Sequence, residues 1–119
     1  MKEVLISASI VIYEENLSDL YKTIECFLSI PFEKKLYLID NTSSKFFEYV
    51  FVNLNIEYIA VKENIGFGSA HNKIINKIKN LSKYHLILNP DVSFKPNVIS
   101  NLIKELEKDK TIAMIAPKV

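Results

Sequence analysis

The sequence predicts an α/β protein built on a doubly wound, mostly parallel sheet with helices on both faces. Three observations carry that expectation. β-like apolar runs alternate with runs of helical period from one end of the chain to the other. The first run, residues 4–13, is almost continuously apolar, as a strand covered on both faces must be. Polar residues gather after each β-like run, where connections leave the carboxyl edge of a parallel sheet. At 119 residues the chain suits one domain with a real core.

Five β-like runs and four helical ones are expected. After residues 4–13, Leu17, Leu20, Tyr21, Ile24, Phe27 and Leu28 recur at helical spacing, with Asn16 placed to cap the first turn and Pro31 closing the segment. Residues 35–39 read as a second strand ending in the polar turn Asp40-Asn41-Thr42-Ser43-Ser44, and a short helix is expected over residues 46–53. Residues 56–61 form the third run. Ala70, Ile74, Ile78 and Leu81 mark one helix after the only two glycines of the chain. Residues 84–88 give the fourth strand. Pro96 suits a first helical position ahead of Ile99, Leu102, Ile103 and Leu106. Residues 112–116 are expected as a fifth strand, and the stop at Pro117-Lys118-Val119 suggests the first part of a longer protein.

Composition narrows the function classes. Hydrophobic residues make up 49% and charged residues 24%, a globular balance, and the net charge of +1 leaves no electrostatic footprint for nucleic acid. Cys26 is the one cysteine, which removes disulfide frameworks and cysteine-based zinc sites; it reads as a small buried residue. The N-terminus has no secretory pattern and no apolar run is long enough for a membrane span. The expected location is the cytoplasm, with peripheral attachment to the inner face of the membrane as a variant.

The polar clusters hold the chemistry. They are Tyr13-Glu14-Glu15-Asn16, Asp40-Asn41, the segment Asn64-Ile65-Gly66-Phe67-Gly68-Ser69-Ala70-His71-Asn72, and Asn89-Pro90-Asp91. In a parallel sheet all four open on one edge, where ligands bind. Glycines let a backbone approach a ligand closely, and the helix after them offers unpaired N–H groups to phosphate. Pro90 cannot extend a ladder, so Asp91 is presented at a strand end, although Asn-Pro-Asp is also ordinary turn chemistry. His71 and His85 read as bland, since neither has a second ligand at metal spacing.

Simple nucleotide templates fail on this sequence. The turn after the first strand lacks the glycines of a dinucleotide fingerprint, and no Gly-Lys-Ser/Thr completes a phosphate loop. A phosphoacceptor receiver domain fits the length, the alternation, Glu14 and Glu15, and Lys118. It fails at the third strand, which ends Val61-Lys62-Glu63-Asn64 with no aspartate to phosphorylate.

Ile39-Asp40-Asn41-Thr42-Ser43, the Asn64–Asn72 segment and Leu88-Asn89-Pro90-Asp91-Val92, in that order, resemble the nucleotide-binding half of the family 2 inverting glycosyltransferases, closest to their rhamnosyltransferase-like branch. The resemblance covers nearly the whole chain. It implies the GT-A fold and transfer of a sugar from a UDP- or dTDP-sugar to an acceptor hydroxyl with a divalent metal, Mg²⁺ or Mn²⁺, in cell-surface polysaccharide or glycan synthesis. It implies that Asp40 accepts from the imide N–H of the base. Tyr13 and Asn41 join the nucleotide-sugar site, Asn64, Gly66, Phe67 and Asn72 line the ribose and phosphates, and Asn89-Pro90-Asp91 stands at the Asp-x-Asp position, with Asp91 on the metal.

Two departures accompany the resemblance. Asn89 replaces the first acid of the metal motif, and the Tyr13–Asn16 turn matches only loosely. The general base is expected outside this chain, in the half that binds a glycan or lipid-linked acceptor, so the isolated chain should bind donor and turn over poorly. The alternative is a non-catalytic or truncated nucleotide-binding module working with a partner chain.

Overall fold

A computed structural model describes residues 4–42, 55–61 and 63–117. Its elements run β1 (Val4–Ile12), α1 (Leu17–Leu28), β2 (Lys34–Asp40), β3 (Ile56–Ala60), α2 (Phe67–Asn72), α3 (Ile75–Ile78), β4 (Ser82–Leu88) and α4 (Pro96–Lys108). The strands form one sheet in the order β3-β2-β1-β4, every pair parallel. The α/β expectation therefore holds, with the winding reversing at β1: β2 and β3 build outward on one side, and the chain then returns to place β4 on the other. Such a reversal opens a crevice at the carboxyl ends of the strands it separates, here β1 and β4.

β1 is buried along almost its whole length because both faces are covered. Ile6, Ala8, Ile10 and Ile12 point to one face and pack with Leu20, Ile24 and Phe27 of α1, Ile99 of α4, and Leu36, Leu38 and Leu88 of the neighbouring strands. Val11 joins Tyr37, Ile39, Ala70 of α2 and Ile74 in a second core on the other face. This period-two alternation is what strand geometry demands. Phe27 is wholly buried, and a side chain of that size contributes about 1.5–3 kcal/mol by leaving water.

Local signals act as expected at the helix starts. The Asn16 side chain accepts from the N–H of Asp19 at 3.1 Å, and Pro96 occupies the first turn of α4. Three expectations need correction or lie elsewhere. Residues 112–116 form no strand: Ile112 N–H turns back to the Asp109 carbonyl, and Met114 is 84% exposed. Asp109 Oδ1 takes both the N–H and the hydroxyl of Thr111, a side-chain turn that follows α4. The single helix expected after the glycines is two, because Lys73 and Ile74 make tight three-residue hydrogen bonds back to Ala70 and His71. That break lets Ile74 reach complete burial. The helix expected over residues 46–53 lies outside the described residues. A fourth expectation is adjusted as well: Cys26, read as a small buried residue, is only half-buried on α1.

Candidate functional site

The carboxyl edge of the sheet is laced together by short polar contacts. Asn41 N–H donates to the Ile12 carbonyl at 2.8 Å, and Glu14 N–H donates to Thr42 Oγ1 at 3.1 Å, so the turns after β1 and β2 are joined. Glu14 has φ +50°, the left-handed region, which a non-glycine residue enters at a cost of roughly 1–2 kcal/mol. Strain of that kind gathers where neighbouring structure holds the chain to a task.

Asn41 reaches the glycine segment. Its Nδ2 donates to the Gly66 carbonyl at 3.2 Å and faces Asn64 Oδ1 at 3.5 Å, while Asn64 Oδ1 also accepts the Gly66 N–H at 3.0 Å. Two acceptors on one side fix the amide orientation and leave Asn41 Oδ1 buried without a hydrogen-bond partner among the described residues. Gly66, with φ +88°, sits in backbone space that other residues avoid. Gly68 has no such φ, and a Cβ added at either glycine would meet nothing within 4 Å. Neither glycine is there to let helix and sheet pack closely. Among the described residues, then, neither conformation nor close packing calls for a glycine at 68.

The aspartates differ sharply. Asp40 is completely buried; its Oδ1 accepts Thr42 N–H at 2.8 Å and its Oδ2 accepts the Tyr58 hydroxyl. Asp91 is exposed, in the turn after β4, with Asn89 exposed beside it. That turn is held by α1: Thr23 Oγ1 lies 2.9 Å from the Pro90 carbonyl and 2.8 Å from that of Val92. Across the crevice stands Glu15, whose carboxyl is pushed above its usual value by partial burial and then by the charges of Asp91 and Asp19. The reversal of winding at β1 has brought two carboxyl groups from distant turns within electrostatic reach.

Of the other expected residues, Tyr13 and Phe67 are about half exposed, Asn64 is exposed ahead of Gly66, and Asn72 is exposed at the far end of α2 rather than on its first turn. Among the described residues no three His, Cys, Asp or Glu side chains are grouped to hold a metal ion. A Mg²⁺ or Mn²⁺ ion held by only one or two carboxylates would complete its shell with phosphate and water, and Asp91 and Glu15 are the two carboxylates whose charges interact across this edge. A concavity of about 310 Å³ lined by Pro31, Phe32, Glu33, Lys34 and Asn55 opens at the amino ends of β2 and β3, on the opposite edge from these turns.

Sequence reasoning missed Thr23, Thr42 and Tyr58, which hold the turns, and it set His71 and His85 aside. Both histidines are engaged below the glycine segment: Ser9 Oγ contacts His71 Nδ1 at 2.6 Å and His85 Nε2 at 2.8 Å. The available signal was Ser7 and Ser9, two apart within an otherwise apolar strand and so on one face of it.

Comparison with known proteins agrees with this architecture. No curated protein matches the chain. The model of the family described as glycosyl transferase family 2 matches residues 7–118, which takes in β2, β3 and β4, all the helices and all four polar turns. With the parallel sheet, the reversal at β1 and the polar carboxyl edge, that match shows that the chain belongs to glycosyltransferase family 2.

Proposed function

We propose that this chain is the donor-binding portion of a longer glycosyltransferase, taking a UDP- or dTDP-sugar with a divalent cation for inverting transfer to an acceptor hydroxyl. The observation that carries the reading is Gly68. It lies in ordinary backbone space with room for a Cβ among the described residues, and a bare backbone at that place suits the close approach of a ligand. A diphosphate lying over the Gly66–Gly68 backbone has Asn41 and Asn64 fixing that backbone from below and Phe67 and Asn72 at its sides.

Asp91 is the proposed metal residue, with Glu15 opposite it. A divalent cation there stabilises the negative charge that develops on the departing nucleoside diphosphate. Asp40 is assigned to the base, but its carboxylate is buried beneath Thr42 N–H and Tyr58 O–H. An imide N–H would have to share that carboxylate with Thr42 N–H and the Tyr58 hydroxyl. We assign no residue of the chain as the base that deprotonates the acceptor. The rhamnosyltransferase-like branch is the nearest resemblance in motif, and a glycan or lipid-linked acceptor follows from it. No helix among the described residues is long and apolar enough to cross a membrane.

Calorimetric titration with UDP and dTDP, with and without Mn²⁺, on the wild type and Asp91→Asn tests the reading. Metal-dependent binding that weakens in the variant is expected. Failure of both nucleotides to bind overturns the donor assignment; equal binding without metal and in the variant overturns only the role of Asp91.

A further inference from the structure

A line of polar side chains runs under the glycine segment through an otherwise apolar layer. Ser82 Oγ lies 2.6 Å from Ser7 Oγ, Ser7 Oγ 2.7 Å from His85 Nδ1, His85 Nε2 2.8 Å from Ser9 Oγ, and Ser9 Oγ 2.6 Å from His71 Nδ1. The line joins β4 to β1 and β1 to α2. The parallel register sets Ser7 opposite His85, which puts the imidazole between the two serines on the face that α2 covers. His71 then meets Phe67, one helical turn earlier, with ring centroids 4.4 Å apart and planes at 71°. Phe67 is 51% exposed, so the line ends at an aromatic ring on the surface of the proposed donor segment.

We propose that His71 is a positioning residue for the donor segment, clamped to β1 and β4 through the hydrogen-bond chain His71–Ser9–His85–Ser7–Ser82, with both imidazoles carrying their proton on Nδ1. The inference rests on the donor-binding reading above.

The tautomer follows from counting protons. Ser9 has one hydroxyl proton and two ring nitrogens to serve, and it is completely buried. If Ser9 donated to His71, that ring would carry its proton on Nε2, which is buried and has no partner among the described residues. If Ser9 accepted from both rings, its own proton would be stranded. Orphaned donors are rarer in folded proteins than under-satisfied acceptors. The arrangement that strands no proton has His71 Nδ1–H donate to Ser9 and Ser9 O–H donate to His85 Nε2. His85 Nδ1–H then donates to Ser7, and Ser7 O–H to Ser82. His71 Nε2 is left as a bare lone pair. Burial lowers both imidazole pKa values, that of His85 to about 4, so each ring is neutral at pH 7 and has a single proton to place.

Clamping matters here because α2 is short. Six residues cannot hold a helix by their own hydrogen bonds. The burial of Ala70 and the hydrogen bond from His71 are what tie α2 to β1, and the residues on either side of that tie, Phe67 and Asn72, are the ones proposed to face the nucleotide.

The test uses the two histidines as the only imidazole reporters in the untagged chain. Long-range ¹H–¹⁵N spectra of the wild type should show Nδ1–H on both rings; Nε2–H on either overturns the proposal. His71→Asn places an amide N–H where Nδ1–H stood, whereas His71→Leu fills the space without a donor. UDP and dTDP should bind His71→Asn within about threefold of wild type and His71→Leu about tenfold more weakly. Equal binding by His71→Leu and wild type overturns the proposal. If the wild type binds neither nucleotide, the donor reading fails, and amide exchange decides the clamp separately. Faster exchange at Ala70 and Lys73 in His71→Leu but not in His71→Asn supports it, and unchanged exchange in both overturns it.

Discussion

Thr23 and Pro90 are 67 residues apart in sequence and 2.9 Å apart in space, joined by a hydrogen bond from a buried hydroxyl on α1 to the carbonyl inside the turn that presents Asp91. The same hydroxyl reaches the Val92 carbonyl at 2.8 Å and the Asp19 carbonyl at 3.2 Å. One proton is thus shared among three acceptors, two of them on the turn. The position of Asp91 is set by a helix on the far side of the crevice as much as by its own strand.

Thr23→Val keeps the shape and removes the donor. Two turn carbonyls lose their partner, which costs about 1 kcal/mol of stability. The larger effect is expected on Mn²⁺-dependent nucleotide binding, because the turn is no longer held. Thr23→Ser, which keeps the hydroxyl, should bind nearly as wild type does. Denaturant unfolding read beside calorimetric titration separates the two effects; a Val variant with unaltered metal dependence would show that the turn holds itself.

The two glycines should respond in opposite ways. Gly66→Ala forces a side chain into a backbone region reserved for glycine and should destabilise the fold by about 1–3 kcal/mol. Gly68→Ala lies within α2 with room for the methyl group, and a helical Gly→Ala change stabilises by about 0.5–1 kcal/mol. If a diphosphate passes over this backbone, the same methyl group obstructs it. A more stable protein with weaker UDP or dTDP binding is the expected pair of results for Gly68→Ala. A stabilised variant with full affinity would place the ligand elsewhere.

How far such features were legible in the sequence depended on the range of the interaction. β1, α1, β4 and α4 follow from local period, the Asn16 cap and Pro96, and they appear as expected. The apolar run at residues 112–116 has the local look of a strand but makes no ladder among the described residues, since period alone supplies no pairing edge. Thr23 and His85 were opaque for the same reason in reverse. Each looks ordinary in its own segment, and its partner is fixed only when the parallel register brings distant turns together. Asp91 was readable as a strand-end carboxylate. Glu15 was readable on the same edge, but not its pairing with Asp91, because that proximity depends on the winding reversing at β1.

The imidazole of His85, half-buried beside β1, makes stability depend on pH in a definite direction. The pKa of His85 is lowered to about 4, first by burial and then by the charge of His71, against an ordinary 6.5. Between those values the unfolded chain binds a proton that the folded chain refuses, so stability rises with pH there. It is fully present above pH 6.5 and is lost as the pH falls toward 4. From pH 7 to pH 4.5 the loss traceable to this ring is on the order of 2 kcal/mol after allowance for partial solvent screening. His85→Gln can bond to both serines and does not titrate. Urea midpoints measured at pH 7, 5.5 and 4.5 should therefore fall less steeply in the variant. Parallel curves would assign the acid sensitivity to the carboxylates.

Glu15 gives the opposite sign. Its pKa is raised above 4.5 by burial, Asp91 and Asp19, so the folded state holds the proton more tightly than the unfolded state. Ionised Glu15 opposes folding, and its cost grows as pH rises through the folded-state pKa. Glu15→Gln should raise the thermal midpoint at pH 7, and the gain should vanish well below pH 4.5, where both side chains are neutral. A cation between Glu15 and Asp91 reverses that ranking, because it stabilises the ionised pair and finds only one carboxylate in the variant. Adding Mn²⁺ should therefore raise the midpoint of the wild type more than that of Glu15→Gln and close the gap between them. If both proteins respond equally to Mn²⁺, the repulsion at this crevice is not the site where the metal binds, and Asp91 must find its cation without Glu15.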